Sequence, residues 1–416
     1  MTATETALDP TGVRSRFPAL ARRAPDGRPY VWADAPGGSQ MVDTAIAAMT
    51  DRMQAGVSNT HGAFPLSKEI DTLIADARRA GADFLGCDPG EVVFGQNATS
   101  LLLHLSRALA RTWGPGDEIV VTRLDHDANV RPWLLAARDA GATVRWVDVR
   151  ADDVTLDLDS FDAQLSSRTR LVACTLASNA VGTMPPALEL TARAKAVGAL
   201  VALDGVHLSQ HHAIDLHGMG ADIVATSPYK YFGPHQGMLG VRADLLAALE
   251  PYKLRAAPDE DPDRWETGTQ GHEALAGTIA AIDYIAEIGG SGPDRRAAVV
   301  AGFAAFDAHE RTLAGRFLEG VRRIPAVRLY GIADPGRLGE RTPTFAVRVG
   351  SQHPLDTCAA LAERGIFTWD GHYYAIEVFD RLGLLESGGA VRIGFCHYHS
   401  LEEVDRVLEA LTTLAG

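Results

Sequence analysis

What most narrows the fold of this chain is a rhythm. Short β-branched runs alternate with stretches rich in Ala, Leu and Arg. "EVVFG" (91–95) precedes "TSLLLHLSRALART", and "DEIVVT" (117–122) precedes "RPWLLAARDAG". "TVRWVDV" (143–149) follows, and "TRLVACTLAS" (169–178) leads into "ALELTARAKAVG". "ALVALDG" (199–205) and "ADIVATS" (221–227) come next. Apolar strands alternating with helices predict an α/β fold with a mostly parallel sheet between helices. Beyond residue 280 the texture changes. A long helical stretch, "RRAAVVAGFAAFDAHERTLAGRFLEGV", leads to "RTPTFAVRVG", "AVRIGFCHYHS" and a final helix. This predicts a smaller C-terminal α+β domain. The chain reads as an N-terminal segment (1–30), a large domain (31–280) and a small domain (281–416).

Composition excludes several functions. The chain is 46% hydrophobic and 22% charged, so it has the means to build a core and is not disordered. Its net charge of −14 repels a phosphate backbone, which argues against a nucleic-acid partner. No apolar run has the length of a membrane span, and the N-terminus shows no apolar signal core. Only four cysteines occur, none in a C-x-x-C pair. A cytoplasmic protein is expected. His207, His211 and His212 lack the spacing of a zinc site, so no metal is expected.

In open α/β sheets ligands bind beyond the carboxyl ends of the strands. The polar residues at those ends are Asn97-Ala98-Thr99, Asp125-His126, Ser178-Asn179, Asp204 with His207, and Ser227-Tyr229-Lys230. A carboxylate ending the buried run "VALD" is costly unless it meets a cation or a donor. A lysine at a strand end can form a Schiff base with an aldehyde. Free N–H groups opening the helix at Ala98-Thr99 suit a phosphate. Pyridoxal 5′-phosphate offers all three complements: a ring nitrogen, an aldehyde and a phosphate. Asp125 and Asp127, flanking His126, read as solvated loop charges.

The motifs "QNATSLLLHL", "DHDANVRPW", "SNAVGT", "ALDGVHLSQHH", "SPYKYFGPH", "ETGT" and "VRIGF" occur in this order. Together they resemble the class V aminotransferase and cysteine desulfurase family, a branch of the fold type I pyridoxal phosphate enzymes. The resemblance implies a seven-stranded-type large sheet and a homodimer with shared active sites. By position, Lys230 matches the cofactor-binding lysine and proton carrier, Asp204 the partner of the ring nitrogen, and His126 the imidazole stacked on the ring. Asn179 matches a donor to the phenolic oxygen, and His207 stands near that oxygen in place of a glutamine. Asn97, Ala98, Thr99, Ser227 and Tyr229 match the phosphate loop and its neighbours. Thr269 of "ETGT" matches a residue that reaches the phosphate from the partner subunit. Arg392 matches the clamp on the substrate carboxylate, a task suited to a planar guanidinium.

Cysteine desulfurases carry a nucleophilic cysteine on a loop before the last strands. The corresponding stretch here, "FTWDGHYYAIEVF" (367–379), offers His372, Tyr373 and Tyr374 and no cysteine. Trp369 stands where those enzymes often have a second arginine. With Tyr373, Tyr374, His61 and Phe64 it suggests an aromatic-rimmed pocket that binds substrate through His372 and Tyr374. Cys396 follows Arg392 by four residues. Strand alternation would place both on one face. The reading ranked first is an α,β-elimination on an amino acid without an enzyme persulfide. Transamination, epimerisation, decarboxylation and C–C bond formation are the alternatives, with a non-catalytic cofactor-binding protein behind them.

Overall fold

The computed structural model describes residues 8–290 and 292–416. Seven strands form the larger sheet: β1 (Val92–Gly95), β2 (Glu118–Thr122), β3 (Thr143–Val147), β4 (Thr169–Thr175), β5 (Leu200–Asp204), β6 (Ile223–Thr226) and β7 (Gly237–Val241). Their order is β1-β7-β6-β5-β4-β2-β3. The neighbours from β3 to β6 are parallel. β7 alone runs against both its neighbours. The cause is the short connection between β6 and β7. A parallel return needs a crossover of roughly a dozen residues or more, and residues 227–236 provide only a tight turn. Lys230 sits inside that reversal.

β2 and β7 are buried along their whole length, and β5 at four of its five positions, because helices cover both faces of the sheet. Ala98–Ala110 and Arg131–Ala140 press Leu101, Leu105 and Trp133 onto one face. Pro65–Leu85 and His272–Gly289 bring Phe84, Ile282 and Tyr284 into the other core.

The second sheet is antiparallel, in the order β10-β11-β9-β8. Its strands are β8 (Val327–Tyr330), β9 (Thr344–Val349), β10 (Trp369–Gly371) and β11 (Ala390–Gly394). Phe317 of the long helix Arg295–Val321, Leu361, and Val404 of the last helix pack with Phe345 and Phe395 into a separate core. Residues 31–34 join this side, while Val13, Phe17 and Leu20 of the N-terminal segment pack in the core with Phe84 and Tyr284. Val31 bridges to Ile366 and Asp34 to Gly394, which carries residues 35–38 across the end of β11.

Two expectations change. β11 ends at Gly394, so strand alternation does not extend to Cys396. The Cys396 backbone N–H instead donates to His399 Nδ1 at 3.0 Å, and its thiol lies in the core. Asp125 is not a solvated charge. It is buried, accepting from Asn129 Nδ2 at 2.7 Å and from the Thr122 hydroxyl. Burial, with Asp204 nearby, pushes its carboxyl up to about 8. Among the described residues no helix is long and apolar enough to cross a membrane.

Candidate active site

A cavity of about 550 Å³ opens where the carboxyl ends of β1, β2, β4, β5 and β6 face β10 and β11. One wall is the loop Asn97-Ala98-Thr99 after β1. Asn97 caps the helix Ala98–Ala110, its Oδ1 accepting from Ser100 N at 2.8 Å. Ala98 and Thr99, whose N–H groups lie at the positive end of the helix, line the cavity. Gly237 of β7 makes the loop possible, since a Cβ there would lie 2.3 Å from the Asn97 carbonyl carbon. Ser227 and Tyr229 line the cavity too. Tyr229 stacks on His235 with ring centres 4.8 Å apart.

The floor is electrostatic. Asp204 ends β5 and accepts from the Val206 N–H at 2.8 Å. Burial raises its carboxyl to about 6, a rise opposed by that hydrogen bond and by Lys230. Lys230 Nζ donates to the Pro36 carbonyl at 2.5 Å and lies 4.9 Å from the centre of the Tyr229 ring. Burial lowers its ammonium to about 7. Arg392 adds to the drop, while Asp204 and Asp34 oppose it. His126 is held near 4 by burial, then by Lys230 and Arg392, so its ring is neutral. Its Nδ1 accepts from Ala128 N at 3.0 Å, which puts the proton on Nε2.

The opposite wall comes from β10, β11 and the turn after β10. Arg392 is 5% exposed and forms no ion pair among the described residues. Its Nη1 donates to the Asn179 carbonyl at 3.0 Å, its guanidinium lies 4.5 Å from the Tyr373 ring centre, and its Nε is buried without a partner. Asn179 Nδ2 donates to the Tyr373 carbonyl at 2.8 Å, while its Oδ1 is unpartnered. Tyr373 and Tyr374 both sit at positive φ, 50° and 61°. That strain is held by the Tyr373 hydroxyl on the Ala390 carbonyl and by the Tyr374 carbonyl on Asp127 N at 2.7 Å. His126 and Tyr374 face each other at 5.4 Å, and His372 and Trp369 line the mouth.

The cavity gathers every site residue expected from sequence except Thr269, which is exposed and lies outside its own chain's cavity. His61 and Phe64 also stay outside it. The His61 N–H is held by Asp71 at 3.1 Å, and Phe64 precedes the helix Pro65–Leu85. Sequence reasoning missed Asp34, Pro36 and Gly37. A "DAPGG" turn after "YVW" carries a signal of a strand leading to a tight turn, but nothing in it points to a lysine 194 residues away along the chain.

The residues present suit pyridoxal phosphate. An N–H cradle, an acid at a strand end, a lysine of lowered pKa and unpartnered polar atoms on Asn179, His207 and Arg392 converge on one cavity.

The class-V aminotransferase family model matches residues 31–407. The chain belongs to this family. A probable cysteine desulfurase of Mycobacterium leprae is 33% identical, with the match covering 98% of this chain and 97% of that protein. An aminotransferase-like protein of Gibberella zeae is 30% identical over 96% of each. Among solved structures, an apo cysteine desulfurase from Thermococcus onnurineus superimposes with a TM-score of 0.85 at 27% identity, covering 96% of this chain and 98% of that one. Class V members use pyridoxal phosphate, and this chain is a pyridoxal phosphate-dependent enzyme with their fold.

Proposed function

We propose that the enzyme acts on an amino acid whose β-substituent leaves, by α,β-elimination, without passing sulfur through a cysteine of its own. The observation that carries this reading is that no cysteine among the described residues lines the cavity, while Tyr373 and Tyr374 fill the turn beside Arg392. Cys174 and Cys396 are buried in the core, and burial pushes both thiols well up, away from the thiolate a nucleophile needs. The relatives named as cysteine desulfurases favour a sulfur-bearing substituent.

The roles follow from position. Pyridoxal phosphate, when bound, supplies an aldehyde for covalent attachment and a ring that withdraws electrons from the substrate. Ala98, Thr99 and Ser227, with Asn97 and Tyr229, would hold its phosphate. Asp204 would keep the ring nitrogen protonated, and His126 would serve as the imidazole beside the ring. Asn179 and His207 would serve the phenolic oxygen. Arg392 fixes the substrate carboxylate, which meets guanidinium N–H groups that the described residues leave unpaired, Nε among them. His372 and Tyr374 border the substrate side chain. Lys230 would hold the cofactor's aldehyde and would carry the proton at the substrate α-carbon, since an amine lowered to about 7 both takes and returns a proton at neutral pH. Thr269, exposed and outside its own cavity, completes the phosphate site of a second copy in a cytoplasmic homodimer.

The test uses a variant with Cys87, Cys174, Cys358 and Cys396 replaced by serine or alanine, assayed on a panel of β-substituted amino acids. Keto-acid and ammonia release at the wild-type rate is expected. Loss of release in a folded, cofactor-loaded variant, with a trapped persulfide on wild type, would overturn the reading. So would stoichiometric pyridoxamine phosphate, which marks transamination. Borohydride fixation and peptide mapping should place the cofactor on Lys230. Sedimentation should give twice the chain mass.

A further inference from the structure

His207 lines the cavity beside Asp204, but its ring is held from the other sheet. Nε2 lies 3.0 Å from Thr344 Oγ1 and 3.3 Å from Thr342 Oγ1. All three side chains are buried, His207 at 4% exposure and both threonines at 0%. Nδ1 is buried and has no partner within the described residues.

The proton count is restrictive. The ring is neutral, because burial, then His211, Lys230 and Arg392, push its pKa well down. A neutral imidazole carries one proton, on one nitrogen. The Thr342 hydroxyl has an acceptor of its own, the Gly182 carbonyl at 3.4 Å. The Thr344 hydroxyl has His207 Nε2 as its one partner among the described residues. If Thr344 donates to Nε2, the proton must sit on Nδ1. The unpartnered nitrogen then becomes a donor rather than an acceptor. Other titratable groups around the ring are Asp204 and Lys230 on the large-sheet side, Arg392 on β11, and His211. The His211 ring stands edge-on at 5.2 Å, with its Nδ1 2.7 Å from the buried Glu310 carboxyl.

We propose that Thr344 is a positioning residue that acts through His207: its hydroxyl fixes the Nδ1–H tautomer, so this cavity-lining ring offers a hydrogen-bond donor at the nitrogen that the described residues leave unpartnered. An ionised phenolic oxygen on the cofactor accepts hydrogen bonds only, and this tautomer is the one that serves it. The proposal rests on pyridoxal phosphate occupying this cavity. It adds that the small-domain strand β9 sets the electronic state of a group held by the large domain.

The readout is the pH midpoint of the bound cofactor's visible absorbance change, measured on the holoenzyme. Donation to the phenolic oxygen favours its ionised form most when the neighbouring imine has lost its proton, so it lowers that midpoint. Thr344→Val should raise it by about one pH unit. Thr344→Ser should return it to the wild-type value. In a His207→Gln background, where an amide donates without help, Thr344→Val should shift it no further. Where the valine variant does not fold, Thr344→Ala serves in its place. A midpoint unchanged in the hydroxyl-free variant overturns the proposal, as does a serine variant that behaves like valine. Wild type that captures no cofactor would instead overturn the reading of the cavity, so the two failures are separable.

Discussion

Lys230 and Arg392 are two cations in one buried cavity, and the arginine shapes how the lysine titrates. Lys230 is depressed first by burial and then by Arg392, and is held up by Asp204. Capture of pyridoxal phosphate requires the neutral amine. The capture rate of cofactor-free protein should therefore rise with pH through a midpoint near 7, as the ammonium loses its proton. Asp204→Asn removes an anion that favours the ammonium, so its midpoint should fall. Stopped-flow absorbance across pH reads both, and a higher midpoint in Asp204→Asn would contradict the assignment. Arg392→Lys keeps the charge and loses the planar fork. KM for the amino acid should rise about tenfold or more, with kcat less affected, in steady-state kinetics. Lys230 and Asp204 were legible in the sequence because Asp204 ends a strongly apolar run and Lys230 lies in the turn just after another. Asp125 was not, because "LDHDAN" reads as an exposed loop and only the folded chain shows Thr122 and Asn129 closing over it. Thr344 was equally hidden, since its approach to His207 spans 137 positions.

At the scale of elements, the turn after β1 depends on a glycine in another strand. Gly237→Ala would drive a methyl into the Asn97 backbone. Displacing that loop should leave the sheet formed and weaken cofactor binding by roughly tenfold, since overpacking of this kind costs about 1–3 kcal/mol. Fluorescence titration checks it; an unchanged Kd with native circular dichroism would show that the loop tolerates the shift. The strands that the sequence announced are β1 to β6, with β9 and β11 of the second sheet, each written as an apolar, mostly β-branched run. β7, "GMLGV", escaped because two glycines dilute its pattern, and β10 escaped because three residues carry no periodicity. The helix Arg295–Val321 matches the stretch read from sequence, since 27 residues without proline leave few alternatives.

Across the whole molecule, the cavity takes its walls from both sheets and from the segment around Gly37. A ligand held there should stabilise all three parts together. At a hundredfold excess over Kd, cofactor should add about 2.7 kcal/mol to stability. Scanning calorimetry should show a higher Tm for the loaded protein than for the stripped one, and a smaller gain in Lys230→Ala. The large sheet was legible from its alternation, and the contacts made by residues 31–38 were not, because they depend on where distant strands end. One consequence reaches furthest. The lysine sits in a reversal whose two ends are fastened into neighbouring strands, Thr226 opposite Met238. Ser39 ties the middle, with its N–H and hydroxyl on the Tyr229 carbonyl at 3.1 Å each and its Oγ accepting from Phe232 N at 2.8 Å. With its shoulder clamped, Lys230 travels only by turning its own staggered side-chain torsions. Its stroke is short and the same for every substrate, so substrates of different size must be accommodated from the arginine side of the cavity, which has to bring the reacting carbon to the lysine.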